Sequence, residues 1–156
     1  MKIEIGSRES TRKRANEPFA AHTALISITG ADDDFVVLRN RPEYLIQSKF
    51  NDVSFEDLDF ILCRRHTEVE KLQFARINHM LNDKQAGEIA GFIKSILDKA
   101  ELLICQCEHG HSRSAGVAAA VKQFLDKSGI EIFADDRYYP NKHVYRKVLE
   151  ALETEI

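Results

Sequence analysis

The 156-residue sequence predicts a single α/β domain over residues 1–156, with a central, mostly parallel sheet flanked by helices. Three observations predict it. Apolar runs of strand length stand at residues 24–28, 44–50 and 102–106, apolar residues at helical spacing fill 86–97 and 143–153, and no repeat or Pro/Gly-rich linker divides the chain. The length suits one hydrophobic core. With 44% hydrophobic and 30% charged residues, the balance is that of a globular chain rather than a disordered one.

Taken in order, Met1-Lys2-Ile3-Glu4-Ile5-Gly6 alternates charge with hydrophobe and lacks the continuous apolar core of a signal peptide. Residues 7–18 are polar, with Arg8, Arg12, Lys13 and Arg14, and read as a short surface helix or loop whose cations form a solvated face. Residues 24–28 are expected to be a buried parallel strand ending at Thr29-Gly30. Asp32-Asp33-Asp34 marks a turn, and residues 44–50 form a further strand ending at Asn51-Asp52. The region 54–80 is the least patterned: a short helix is expected around 55–63 and an extended, charged loop over 64–76. Asn82 or Asp83 caps a helix carrying Ala86, Ile89, Ala90, Ile93, Ile96 and Leu97 on one face. Residues 102–106 are a strand, and 115–127 a helix ending at Ser128-Gly129, with the glycine as terminator. A last helix spans 143–153.

The formal charge of −3 argues against bulk attraction to nucleic acid or an anionic membrane. No apolar run approaches the roughly 20 residues needed to span a bilayer. Three cysteines, an odd number without a disulfide framework, suit a reducing compartment, so a cytoplasmic protein is expected.

One stretch carries chemistry: Cys107-Glu108-His109-Gly110-His111-Ser112-Arg113-Ser114, launched from the strand at 102–106. A strand that turns into a helix here lets the N–H groups of residues 108–113 curl inward as an anion nest at the positive helix end. Gly110 supplies the backbone freedom for the curl. The same field favours the thiolate of Cys107. Arg113 brings paired donors that match equatorial phosphate oxygens, and Ser114 can hydrogen-bond the sulfur when it departs as a leaving group.

Cys107 through Arg113, followed by Ser114-Ala115-Gly116, resembles the phosphate-binding signature of the cysteine-based protein tyrosine phosphatases, in particular the dual-specificity-like branch and its small bacterial and phage relatives. Residues 25–29, Phe50-Asn51-Asp52 and Tyr139-Pro140-Asn141 are similar to that family's early strand, its entry to the general-acid loop and its C-terminal end. The family usually has a histidine before the nucleophile; here Gln106 stands there, with an amide that can still hydrogen-bond the loop backbone. The resemblance implies a phosphatase-like fold and a two-step hydrolysis through a phosphocysteine, without metal or other cofactor. Glu108, His109, Gly110, His111, Ser112 and Arg113 would bind the substrate phosphate, and Cys107, Arg113, Ser114 and an aspartic acid would act on it. Asp52 fits the acid best because it follows an apolar strand; Asp83, which also suits a helix cap, Asp57 and Asp59 are the alternatives. The acidic and histidine-bearing loop rim favours a phosphorylated protein over a polyphosphoinositide. A non-protein phosphoester substrate and a catalytically weak phosphate-binding module are the competing readings.

Other assignments are plainer. Cys105, Cys107, His109 and His111 also form a C-x-C-x-H-x-H pattern, but a zinc site gives no reason for Arg113 or for Gly110. Cys105 is expected as a packed core residue and Cys63 as structural, while Asn141 either braces the catalytic loop or caps the last helix.

Overall fold

The computed structural model describes residues 1–154. Four strands, β1 (Lys2–Gly6), β2 (Thr23–Thr29), β3 (Tyr44–Lys49) and β4 (Leu102–Gln106), form one sheet in the order β1-β4-β2-β3. Every neighbouring pair runs parallel. β2 and β4 are interior strands, and their continuous apolar runs are nearly all buried, as a parallel sheet covered on both faces requires. Leu103 and Cys105 of β4 lie level with Ile3 and Ile5 of β1 and with Ala24 and Ile26 of β2, so these side chains share one face.

That face is covered by α4 (Asp83–Ile96), α5 (Arg113–Asp126) and α7 (Lys142–Glu153), whose buried residues join the main core. Helix α4 buries Ala86, Ile89, Ala90, Ile93 and Ile96, the periodic set visible in the sequence. Helix α7 does the same with Val144, Val148 and Leu152. Helix α5 is buried from Arg113 through Val121 because its small residues let neighbours close in from several sides. At Gly116 a Cβ would stand 2.8 Å from the Asn141 carbonyl, so only glycine lets α7 begin against α5. On the opposite face Ile104 meets α1 (Arg8–Arg14), where Thr11 is buried. No helix among the described residues is long and apolar enough to cross a membrane.

The structure corrects several expectations. Residues 2–6 are an edge strand rather than an unassigned terminus, because their backbone pairs with β4. The segment expected as a charged loop over 64–76 contains helix α3 (Glu68–Ile77) beside α2 (Phe55–Leu62). Helix α3 buries no residue, so no apolar stripe announces it; it is started by a capping box. Thr67 Oγ1 accepts from Glu70 N at 3.2 Å, and Glu70 Oε1 accepts from Thr67 N at 2.9 Å. Arg64 closes the α2–α3 turn with paired bonds of 2.8 Å to Glu70, and these hold the Glu70 carboxyl down at about 2.

Helix α5 begins two residues earlier than expected and is terminated by Lys127 in the left-handed region (φ 63°). Gly129 instead opens the short α6 (Ile130–Phe133). Its lack of a side chain is steric, since a Cβ would lie 2.7 Å from the Ala119 carbonyl. Cys63 is exposed and ends α2 in the left-handed region, whereas Cys105 is buried in the core, where burial pushes its thiol up.

His143 sits buried at the start of α7, donating from Nε2 to the Leu81 carbonyl at 2.8 Å, with the Phe55 ring edge-on at 5.1 Å. Burial pushes its imidazole below the usual histidine value of about 6.5. As pH falls, the unfolded chain therefore takes up a proton before the folded one. This contribution to stability is complete above about pH 6.5 and is lost below it. The thermal midpoint is expected to drop as pH is lowered from 7 to 5. His143→Gln, which keeps a donor toward Leu81, should flatten that slope; an unchanged slope in the variant refutes the assignment.

Candidate active site

The four parallel strands all end on one edge of the sheet, at Gly6, Thr29, Lys49 and Gln106. Ligand sites of open parallel sheets lie outside this edge. The loop 107–112 leaves β4 there, between the ends of β1 and β2, and runs directly into α5.

Its backbone is pinned from outside. Cys107 N donates to the Gly6 carbonyl (3.3 Å), and the Glu108 carbonyl accepts from Arg8 N (3.0 Å). On the other flank the His111 carbonyl accepts from Tyr139 N (2.8 Å) and the Ser112 carbonyl from Asn141 N (3.0 Å). The N–H groups of residues 108–113 donate to no protein acceptor among the described residues. Gly110 makes the curl possible: its φ is +73°, and a Cβ there would stand 2.8 Å from the Gly6 carbonyl carbon. The result is a nest of amides at the N-terminus of a 14-residue helix, suited to a dianion.

The side chains complete it. Cys107 is only 2% exposed, with its sulfur 3.0 Å from Ser114 Oγ. Arg113 is buried and donates from Nη1 to the Phe50 carbonyl at 2.9 Å, while its Nε is buried without a partner among the described residues. A guanidinium fixed at one nitrogen and free at another is oriented to receive an anion. Beneath the cysteine, Gln106 is fully buried; its Oε1 accepts from Ser27 Oγ at 2.5 Å and its Nε2 donates to the Cys107 carbonyl at 3.1 Å. The amide thus braces the backbone at the sulfur-bearing residue.

Asp52 stands at the rim of this loop. Its Oδ1 accepts from Ser112 Oγ at 2.6 Å and from Asn141 Nδ2 at 2.9 Å. Asn141 caps α7, its Oδ1 accepting from Val144 N at 3.0 Å, and contacts the loop through its own N–H on the Ser112 carbonyl, while its Nδ2 reaches Asp52. The two residues before Asp52 fix the segment. Phe50 carries the Arg113 contact, and Asn51 donates from N to the His79 carbonyl and from Nδ2 to the Asn78 carbonyl.

The alternative aspartates are engaged elsewhere. Asp83 pairs with Lys147 at 2.9 Å, which holds its carboxyl below the usual range. Asp57 closes the cap of α2 through Ser54, and Asp59 accepts from His66 Nδ1 at 2.6 Å. His109 and Glu108 are exposed at the rim, and His111 donates from Nδ1 to the Arg137 carbonyl at 3.1 Å.

Sequence reasoning missed the outer clamp formed by Gly6, Ser7 and Arg8, and it gave Ser27 no part in holding Gln106. Only the strand-like alternation of residues 2–6 hinted at the first; nothing local signals a partner 79 positions away.

No family model matches the chain, and no curated protein matches it. Among solved structures, the one reported as "Crystal Structure of PTPMT1" aligns over 97% of this chain and 90% of that chain, at 12% identity and a TM-score of 0.45.

Proposed function

We propose that the chain is a cysteine-dependent phosphatase acting on phosphotyrosine in proteins, with phosphoserine and phosphothreonine as further substrates. The observation that carries this reading is the run of N–H groups at 108–113 that donate to no protein acceptor among the described residues, in a loop that begins at Cys107 and ends at Arg113, whose Nε is likewise unpartnered.

The reaction follows from that arrangement. A phosphate monoester seats its equatorial oxygens on the loop amides and the Arg113 guanidinium, which neutralise the charge that would otherwise repel a nucleophile. The Cys107 thiolate attacks phosphorus on the side opposite the leaving oxygen, and the P–O bond breaks as the P–S bond forms. Asp52, neutral at this moment, gives its proton to the departing phenolate or alkoxide. The resulting carboxylate then takes a proton from water as that water attacks the phosphocysteine. The sulfur leaves as a thiolate stabilised by Ser114 Oγ, inorganic phosphate is released and Asp52 is again protonated. The Ser112 and Asn141 bonds to one Asp52 oxygen leave the other free for this traffic.

Turnover of para-nitrophenyl phosphate without added metal is expected for the native chain and should disappear in Cys107→Ser. Tight phosphate binding with negligible turnover would instead identify a phosphate-binding module, and loss of turnover on chelation would identify a metal-dependent enzyme.

The general acid is tested separately. An acid must be protonated to act, so its ionisation makes the rate fall as pH rises, and Asp52→Asn should remove that falling limb. The loss in kcat should be about 10²–10⁴-fold for poorly leaving alkyl phosphates and much smaller for para-nitrophenyl phosphate. Wild-type behaviour of Asp52→Asn on an alkyl phosphate would eliminate Asp52 from the role.

A further inference from the structure

A second concavity of about 490 Å³ lies where α3 packs beside the start of α4 and of α7, outside the phosphate loop. This is within the roughly 300–1,000 Å³ of small-molecule sites. Its apolar lining is Phe55, Ala75, Met80 and Leu81, with the exposed Leu72 at its edge. Its rim is cationic, with Lys71, Arg76 and Lys147 set against one carboxylate, Asp83. Asp83 is already paired with Lys147 at 2.9 Å. Lys71 and Arg76 make no ion pair among the described residues; Lys71 Nζ instead stands 5.1 Å above the Phe55 ring, at the junction of apolar interior and charged rim.

The wall is built rather than incidental. His79 adopts the left-handed backbone region (φ 50°), a conformation that costs a histidine energy unless its surroundings hold it there. Those surroundings are the bonds from Asn51 to the carbonyls of Asn78 (3.0 Å) and His79 (2.9 Å), with Met80 N donating to the Ala75 carbonyl (3.1 Å). The turn between α3 and α4 is thereby fixed with its apolar residues facing the concavity, so an occupant meets a preformed surface.

We propose that this pocket is a binding site for a small amphipathic anion, one with an aliphatic or aromatic body and a single carboxylate, sulfonate or phosphate head. The body would cover the apolar floor between α3 and α4, and the head would pair with Lys71 and Arg76. A neutral ligand would leave those two cations without a partner, and a cationic one would be repelled by them. The proposal is independent of the catalytic reading, since none of these residues touches the phosphate loop.

The test reads binding, not turnover. 8-Anilinonaphthalene-1-sulfonate is titrated into the full chain and followed by fluorescence, and dodecanoate below its micellar concentration is added as competitor. Saturable binding at one site per chain and displacement by dodecanoate are expected, with dodecyltrimethylammonium at least tenfold weaker as a competitor. Lys71→Glu/Arg76→Glu should weaken dodecanoate at least tenfold while leaving the ammonium unaffected or tighter. Ala75→Phe, which fills the interior, should abolish dye binding; because it alters a packed position, the surface double variant, folded by circular dichroism, decides if it fails to fold. Equal competition by the anion and the cation, or wild-type dodecanoate affinity in the double variant, overturns the proposal.

Discussion

A buried strand that turns straight into a buried helix has to place every backbone polar group of the connection, and the 107–112 loop does so asymmetrically. Three of its carbonyls, those of Glu108, His111 and Ser112, are taken from outside, by Arg8 on one flank and by Tyr139 and Asn141 on the other. The Cys107 N–H is taken by the Gly6 carbonyl, and the N–H groups of residues 108–112 donate to no protein acceptor among the described residues. Backbone donors without a protein acceptor are left to water or to an anion. The binding capacity of the site is thus a direct consequence of how the fold disposes of its backbone hydrogen bonds, with the helix dipole of α5 adding to the same field.

The same economy links the loop to the acid segment. Phe50 is fully buried at the end of β3, and its carbonyl receives Arg113. Two residues on, Asp52 receives Ser112 and Asn141. The guanidinium, the loop serine and the carboxylate are therefore positioned by one short stretch of chain. Asn51 in turn ties that stretch to the carbonyls at 78–79. The turn between α3 and α4 thus anchors the segment that carries Asp52.

What could be read in the sequence follows from what is buried. β2, β4, α4 and α7 present uninterrupted or periodic apolar residues because each faces the core, and their expected boundaries differ from the observed ones by at most a residue or two. The loop was legible because its chemistry is local: cysteine, glycine and arginine lie within seven positions. Helix α3 was not legible from periodicity because it buries nothing; caps and the Arg64–Glu70 pair hold it, and only the Thr67–Glu70 capping box marks its start. β1 was overlooked because an edge strand with no fully buried residue carries only five positions of weak alternation. Lys127 in the left-handed region, six bonds of chain before Gly129, shows that a glycine near a helix end need not be its terminator. Contacts such as Ser27 to Gln106, or Asn141 to Asp52, join residues 79 and 89 positions apart and have no local signature at all.

Gln106 shows how a departure in residue type is absorbed by the packing. Both ends of its amide are used, one by Ser27 and the other by the Cys107 carbonyl, so the side chain has a single satisfied orientation inside the sheet. A histidine at the same place could also donate to that carbonyl, but it could take up a proton and a charge as well. Glutamine cannot. In the proposed mechanism the support for a charged sulfur must then come from the loop amides, Arg113 and Ser114, with the position beneath contributing geometry and no titratable charge. The distribution is self-consistent: a neutral, fully bonded amide is tolerated in a buried strand where an ionised ring would carry a heavy desolvation cost, and the cation that the chemistry demands is kept at Arg113, the residue open to the ligand.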